Sequence, residues 1–220
     1  MGKNVFVYGL SGAGKDTVSN YLRDEYGFLK LRIANTIKSV ICEAKNLTFD
    51  ELEELKRVNP ELRKLHNDVS QLIDNIAGVE QSSIHRLHQL IDGTSLEFQH
   101  FNEKNRMLDA QKCVCDVRTD LEVELLLDAG YFGFFLNRRA DEFKQSAHFT
   151  EQSHFANGNV TKWESKYGHQ MQIINNSGTG HNGELKKYMV DKFGHYHTDG
   201  DSETLLAIVD MIIAKENLLN

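Results

Sequence analysis

The sequence lacks several features that mark common classes of protein. Its 220 residues carry 25 Lys and Arg against 32 Asp and Glu, a net charge of −7, whereas a broad nucleic-acid surface needs a basic surplus. No stretch approaches the roughly 20 apolar residues that span a bilayer, and no signal peptide is recognisable at the N-terminus. Three cysteines cannot form a disulfide framework. We therefore expect a cytoplasmic protein without nucleic-acid or membrane partners.

The sequence also shows no paired-carboxylate or Ser/His/Asp arrangement of the kind that performs general acid–base or nucleophilic catalysis. Ten histidines are present, and His195 and His197 lie close together. They have no acidic or Cys partners at ligand spacing, so we do not expect a histidine metal site there.

The most informative segment is 4–17, where a short apolar run ends at Gly9 and the spacing G-x-x-x-x-G-K follows. Glycines allow consecutive backbone N–H groups to turn around an anion, and the lysine reaches the β- and γ-phosphates of a nucleotide. A helix beginning near Gly14 adds the positive end of its dipole. The predicted nucleotide-binding residues are Gly9, Ser11, Gly12, Ala13, Gly14, Lys15, Asp16 and Thr17.

The alternative for this segment is a glycine-rich turn between an unrelated strand and helix. The flanks favour phosphate binding, because a β-branched and aromatic run precedes the loop and Val18, Tyr21 and Leu22 follow at helical spacing. One departure affects the metal: the position that usually carries a Mg²⁺-binding Ser or Thr is Asp16, with Thr17 one place later. Both residues are therefore candidate ligands.

Strands and helices alternate along the chain. Apolar runs predict five strands, at 5–8, 28–33, 112–115, 131–136 and 171–174, with amphipathic helices between them. This alternation indicates an α/β fold with a parallel five-stranded sheet and helices on both faces. We expect one domain over 1–220, with a helical insertion at 46–110, an irregular segment at 138–169 that is a lid or a surface loop, and a helical extension at 195–220.

A second constellation, Asp116-Val117-Arg118, follows the third predicted strand. An acidic residue at the carboxyl end of a buried strand next to a phosphate loop is placed to hold Mg²⁺. Arg118 is placed to bind a second phosphate in bidentate fashion. The alternative is an aspartate that caps the next helix and pairs with the arginine, although Thr119-Asp120 could supply that cap equally well.

Further basic residues are expected where the strand connections open onto the same edge of the sheet: Arg32, Lys38, Arg86, Arg138 and Arg139. Each one alone is typical of a solvated surface charge. Together they favour phosphoryl transfer between two polyanions, because that chemistry needs several cations around the transferred group. A phosphate acceptor is already ionised, so the reaction requires no general base.

Short motifs in a fixed order resemble those of the T4-type bacteriophage deoxynucleoside monophosphate kinases. The resemblance covers roughly residues 5–193 and includes the same Asp in the phosphate loop. The motifs are Gly14-Lys-Asp-Thr17, Ala34-Asn-Thr-Ile-Lys38, Arg86-Leu-His-Gln89 with Gly93-Thr94, Asp116-Val-Arg118-Thr-Asp120 with Glu122, His148-Phe-Thr-Glu151 and Ile174-Asn-Asn176.

The resemblance implies a P-loop kinase fold and transfer of the ATP γ-phosphate, with Mg²⁺, to a deoxynucleoside 5′-monophosphate. A phage protein would act in the host cytoplasm. Both a monomer and a homodimer are compatible with the sequence. The implied catalytic residues are Lys15, Asp116, Arg118 and Arg138, the acceptor-binding residues are Arg32, Lys38, Arg86, Arg118, His148 and Glu151, and Arg139 joins the ATP site. The implied metal ligands are Asp16, Thr17 and Asp116.

Two other functions fit the sequence. The same loop occurs in animal phosphomevalonate kinases, so a kinase of another small phosphorylated acceptor, such as phosphomevalonate or dephospho-coenzyme A, is the first. The second is a non-catalytic nucleotide sensor. In such a protein the Arg and Lys residues predicted beyond the phosphate loop would have no role.

Overall fold

The computed structural model describes residues 2–9, 12–92, 110–117, 119–137, 159–176, 189–190, 194–198 and 201–219. The chain divides into two compact units. We call Met1–Lys30 together with Ala110–Asn220 the sheet unit, and Leu31–Asp109 the helical unit.

Seven strands and eight α-helices are present in the described part of the chain. The strands are β1 (Val5–Gly9), β2 (Leu29–Leu31), β3 (Lys112–Val117), β4 (Phe132–Asn137), β5 (Met171–Asn176), β6 (Met189–Val190) and β7 (Tyr196–Thr198). The helices are α1 (Lys15–Tyr26), α2 (Asn35–Lys45), α3 (Phe49–Val58), α4 (Pro60–Ala77), α5 (Val79–Ile91), α6 (Asp120–Asp128), α7 (Asn159–Tyr167) and α8 (Ser202–Lys215). Among these helices, none has the length and apolar character needed to cross a membrane.

The strands form one sheet in the order β2-β3-β1-β4-β5-β7-β6. Six strands make a parallel sheet, and β6 pairs antiparallel with β7 at the edge. The α/β class and the five predicted strands are confirmed, and the arrangement is consistent with a Rossmann-like fold. The strand count of five is wrong, because β6 and β7 contain only two and three residues. Segments that short show no hydrophobic period to predict.

Side chains of β1 point alternately to the two faces of the sheet. Val5 and Val7 belong to a buried cluster that includes residues of α1 and α8. Phe6 and Tyr8 point the other way, where the Tyr8 ring lies 5.8 Å from that of Trp163 on α7, measured between centroids. Helices therefore cover both faces, as expected for strands that are apolar on both sides.

The C-terminal helix packs directly into the sheet unit. Five of its apolar side chains are buried with residues of α1 and β1: Leu205, Ile208, Val209, Ile212 and Ile213. The hydroxyls of Tyr21 and Tyr26 donate to the Asp210 carboxylate at 2.8 and 2.7 Å. Residues 195–220, predicted as a helical extension, thus supply β7 and one layer of the core.

Part of the segment predicted as a lid is also core. Residues Asn159–Tyr167 form α7, and Trp163 on that helix is 1% exposed. Val160, Trp163 and Tyr167 are buried on one side of the helix, at a helical spacing that the sequence already contains. Residues 138–158 lie outside the described residues.

The helical unit has its own small core. Ile37 and Ile41 of α2 pack with Leu52 of α3 and Leu62 of α4. Thr48 caps α3 by accepting from the Glu51 amide at 3.2 Å, and its own amide donates to the Glu51 carboxylate at 2.8 Å. The Thr48 amide and, at 2.9 Å, the Thr48 hydroxyl both donate to the Glu51 carboxylate, and they lower the pKa of Glu51. The helical region begins at Leu31, earlier than the predicted insertion at 46–110, because α2 packs on α3 and α4.

Candidate functional site

The connection from β1 to α1 requires glycine. Gly9 has φ of 157°, Gly12 of 74° and Gly14 of 102°. A Cβ on Gly9 would lie 2.3 Å from the carbonyl oxygen of Leu136 on β4, so no side chain fits between these paired strands. Gly14 occupies the N-cap of α1 in the left-handed region. The predicted loop glycines thus adopt the conformations for which glycine is needed; Ser11 lies outside the described residues.

Lys15 closes the loop. Its ammonium donates to the carbonyl oxygen of Gly9 at 2.6 Å, so the side chain folds back from the start of α1 toward the end of β1. The Lys15 side chain therefore links the two ends of the 9–15 segment. A bound anion at this loop would contact both the Lys15 ammonium and the backbone amides.

A second anchor holds the loop from the side of β5. The carboxamide of Asn176 donates to the carbonyl oxygen of Ala13 at 3.0 Å, and the Thr198 hydroxyl on β7 donates to the Asn176 side-chain oxygen at 2.6 Å. Ala13, Asn176 and Thr198 are 0, 3 and 7% exposed, so this network is dry. Sequence patterns gave no sign of it, since 163 residues separate Ala13 from Asn176.

The N-terminus of α1 carries one acidic residue in its first turn. No side chain caps this helix end among the described residues, so its amides and dipole face the loop. The Asp16 carboxylate is 70% exposed and lies 3.1 Å from the Lys30 ammonium, which is 10% exposed. Lys30 also donates to the Asn20 side chain at 2.8 Å. Lys30 thereby offsets the negative charge that Asp16 places next to a predicted anion site.

Lys30→Met is expected to weaken the binding of Mg²⁺-free ATP by about three- to tenfold, because it removes a cation that lies 3.1 Å from the Asp16 carboxylate at the predicted phosphate site. Calorimetric titration at two salt concentrations measures the effect, which should shrink at higher salt. The matched control is Arg23→Met, since Arg23 pairs with Asp24 at 2.7 Å on the same helix. Adding Asp16→Asn to Lys30→Met should restore binding when no Mg²⁺ is present, because the Asp16 carboxylate then only repels the phosphates. Equal affinities for the Lys30 and Arg23 variants would contradict this role.

Asp116 lies at the carboxyl end of β3, next to the loop strand. β1 and β3 pair in parallel with Tyr8 opposite Val117, so Asp116 is one residue from the position opposite Tyr8. Its side chain is partly exposed. Thr119, not Asp116, caps the following helix, because the Thr119 hydroxyl accepts from the Glu122 amide at 3.2 Å. Of the two caps that the sequence allows, the structure uses Thr119.

The loop region carries oxygen donors that could bind a metal ion, but the described residues do not form a complete set of protein ligands. In the part of the chain that the structure describes, no three His, Cys, Asp or Glu side chains are grouped as a metal site. Asp16 and Thr17 are exposed on the first turn of α1, and Asp116 is partly exposed on β3. Magnesium usually binds through one or two protein ligands plus substrate phosphates, and this set of oxygen donors fits that mode.

Tyr8 directly precedes the loop and stays protonated. Its side chain is 2% exposed against Phe135 and Trp163. Burial, with a smaller contribution from the charges of Asp120 and Glu122, raises the pKa of its hydroxyl far above the ordinary value. The side chain therefore serves as a neutral support for the end of β1.

Polar side chains form a row on three strands, and the sequence assigned no role to any of them. Asn137 on β4 donates to the side-chain oxygen of Asn175 on β5 at 3.0 Å. The Asn175 amide lies 3.4 Å from Nε2 of His197 on β7. Each asparagine directly follows an apolar strand run, which is a signal that the sequence contains.

The other predicted site residues fall into two groups. Arg32, in the turn after β2, Lys38 on α2 and Arg86 on α5 belong to the helical unit, and Lys38 is 6% exposed. The second group lies outside the described residues: Arg118, Arg138, Arg139, His148 and Glu151. Among the predicted residues, the structure gathers Gly9, Gly12, Ala13, Gly14, Lys15, Asp16, Thr17 and Asp116 at one end of the sheet unit.

Comparison of the sequence with protein-family models and with curated proteins gave no match.

Proposed function

We propose that this chain is an ATP-dependent kinase with a P-loop kinase fold that phosphorylates a deoxynucleoside 5′-monophosphate to the diphosphate. The observation that carries the proposal is the loop between β1 and α1, with its left-handed glycines and the Lys15 ammonium 2.6 Å from the Gly9 carbonyl. Successive amides, a helix N-terminus and a lysine at one point are the elements that bind a nucleotide polyphosphate.

The position of the loop in the sheet supports the proposal. β1 lies between β3 and β4; the chain leaves β1 toward β2 on one side, whereas it leaves β4 toward β5 on the other. Neighbouring parallel strands whose connections depart in opposite directions leave a crevice beyond their carboxyl ends, where α/β proteins bind ligands. Gly9 and Asp116 are at the carboxyl ends of β1 and β3 in this region.

On the donor side, the loop amides and Lys15 would hold and neutralise the β- and γ-phosphates of ATP. In phosphoryl transfer the protein acts mainly by positioning the reactants and by stabilising charge. The loop amides and Lys15 are groups of the type that this role requires. Asp16, Thr17 and Asp116 are the proposed ligands of Mg²⁺, which when bound neutralises charge on the phosphate oxygens.

On the acceptor side, the resemblance to the phage kinases assigns the residues. Arg32, Lys38, Arg86 and Arg118 would bind the acceptor phosphate. Arg138 and Arg139, with His148 and Glu151, would form the closing segment that keeps water from the transferred group. An acceptor phosphate oxygen would attack the γ-phosphorus while the bond from that phosphorus to the β–γ bridging oxygen breaks. ADP leaves with the negative charge on that oxygen, so no proton needs to be removed.

The proposal is tested by measuring ADP formation from ATP and Mg²⁺ with a panel of deoxy- and ribonucleoside monophosphates, phosphomevalonate and dephospho-coenzyme A. At least one deoxynucleoside monophosphate is expected to accelerate ADP release well above the acceptor-free rate. The Lys15→Ala protein, purified in parallel, controls for contaminating kinases. Acceleration only by phosphomevalonate or dephospho-coenzyme A would assign a different acceptor. ATP binding without acceleration by any acceptor would contradict the kinase proposal and favour a nucleotide sensor.

A further inference from the structure

We propose that Asn176 and Thr198 are positioning residues that hold the Ala13–Gly14 peptide with its N–H directed into the phosphate loop; the inference rests on the proposed nucleotide site. Both residues lie on strands remote in sequence from the loop. Asn176 ends the Ile174-Asn-Asn176 motif, to which the resemblance assigns no role, and Thr198 belongs to no quoted motif. Their contact with the loop is a single buried chain of hydrogen bonds, from the Thr198 hydroxyl through the Asn176 carboxamide to the Ala13 carbonyl.

The direction of this chain is fixed by chemistry. A backbone carbonyl oxygen only accepts, so Asn176 must present its NH₂ group to Ala13. The Asn176 oxygen then faces Thr198, whose hydroxyl is the donor at 2.6 Å. The Ala13 carbonyl therefore selects the orientation of the carboxamide, because the opposite orientation would place the Asn176 and Ala13 oxygens against each other. The Thr198 hydroxyl satisfies the Asn176 oxygen and holds the side chain in that place.

Anchoring the Ala13 carbonyl also orients the next amide. A trans peptide directs its C=O and N–H to opposite sides, and the described residues contain no cis peptide bond. Because the Ala13 oxygen is held toward β5, the Gly14 N–H is turned away from β5, toward the anion side of the loop. The position of a Cβ on Gly14, 3.3 Å from the Asn176 nitrogen and 3.0 Å from Leu205, shows how closely this peptide sits on its support.

A glycine-rich loop needs such an anchor. Gly12 and Gly14 permit many backbone conformations, including one in which the 13–14 peptide is flipped. A flipped peptide would point the carbonyl oxygen at the anion and turn an attraction into a repulsion. Donors that are already aimed before the ligand arrives cost no reorganisation on binding, which is the advantage that Asn176 and Thr198 provide.

The test measures binding of inorganic tripolyphosphate by calorimetry, which requires neither an acceptor nor turnover. Asn176→Ala is expected to weaken binding by about tenfold or more, and Thr198→Val by about three- to tenfold, since each removes part of one preorganised donor array. Thr198→Ser keeps the hydroxyl that donates to Asn176, so its tripolyphosphate affinity should lie within about twofold of the wild-type value. In ¹⁵N–¹H spectra, the Gly14 amide should shift downfield with tripolyphosphate in the wild type and much less in Asn176→Ala.

Tyr26→Phe is the matched control for a purely structural effect. It removes a partly buried hydrogen bond to Asp210 in the same unit. Tyr26 lies about 16 Å along α1 from Lys15. It should lower the unfolding temperature without changing tripolyphosphate affinity.

Two results would overturn the inference: wild-type affinity in folded Asn176→Ala, or equal affinities for Thr198→Val and Thr198→Ser. The Thr198 pair decides the question if Asn176→Ala does not fold. Wild-type protein that binds tripolyphosphate but phosphorylates no acceptor would contradict the proposed kinase activity and leave the role of Asn176 standing.

Discussion

Lys15→Ala is expected to lower kcat for phosphoryl transfer by about two to three orders of magnitude, the usual cost of removing one preorganised charge at the reacting group. The ammonium stands at the loop through its 2.6 Å contact with the Gly9 carbonyl, so its loss removes the cation nearest to the predicted γ-phosphate. Steady-state kinetics with the best acceptor of the panel measures kcat and KM. The KM for the acceptor should change much less than kcat, because Lys15 is assigned to the donor side.

Lys3→Ala is the matched control for Lys15→Ala. It removes the same charge from the same unit, but Lys3 precedes β1 at the opposite edge of the sheet, where its ammonium lies 5.9 Å from the Phe132 ring centre. This variant should retain the wild-type kcat. A Lys15→Ala enzyme that keeps kcat within about tenfold of the wild type would contradict the assignment of the transferred group to this loop.

Gly9→Ala is expected to reduce the free energy of unfolding by about 2–4 kcal/mol, combining backbone strain with a clash in the sheet. The added Cβ would lie 2.3 Å from the Leu136 carbonyl oxygen, an atom fixed by the pairing of β1 with β4. Neither strand has room to move, because both are buried between helices. Urea denaturation of the wild type and the variant measures the loss.

Gly27→Ala separates strain from the clash. Gly27 also has a positive φ, 72°, at the end of α1, but a Cβ there meets no atom within 4 Å. Its substitution should cost only about 1 kcal/mol, from the backbone conformation alone. If Gly9→Ala were no less stable than Gly27→Ala, the close approach of Gly9 to Leu136 would not matter for the fold.

The sequence predicts the main strands of the sheet unit because each of them has a local apolar pattern. Four of the five predicted strands are longer than four residues in the structure, and their apolar runs are readable without knowledge of their partners. The loop is predictable for a similar reason, since glycine at 9, 12 and 14 reflects local backbone demands. β7 has three residues, and its place in the sheet depends on pairing with β5, which no local pattern records.

The site's supporting contacts could not be predicted, because they join residues far apart in the chain. Asn176 contacts Ala13, and Lys30 contacts Asp16 through a side chain that any surface strand could carry. The extent of the helical unit, Leu31–Asp109, also depends on contacts between elements. The apolar stripe of α2 fits a helix that covers a sheet as well as one that packs on α3 and α4, and only the tertiary contacts distinguish them.

The dependence of the loop on Thr198 and Leu205 has a consequence for biosynthesis. During translation the glycine-rich turn leaves the ribosome early, whereas the elements that support it, β5, β7 and α8, begin roughly 160 to 190 codons after Lys15. Until Asn176, Thr198 and Leu205 have emerged and packed, the nascent chain carries the proposed nucleotide-binding loop without the support that shapes it. Nucleotide capture is therefore expected after, and not during, synthesis of the sheet unit.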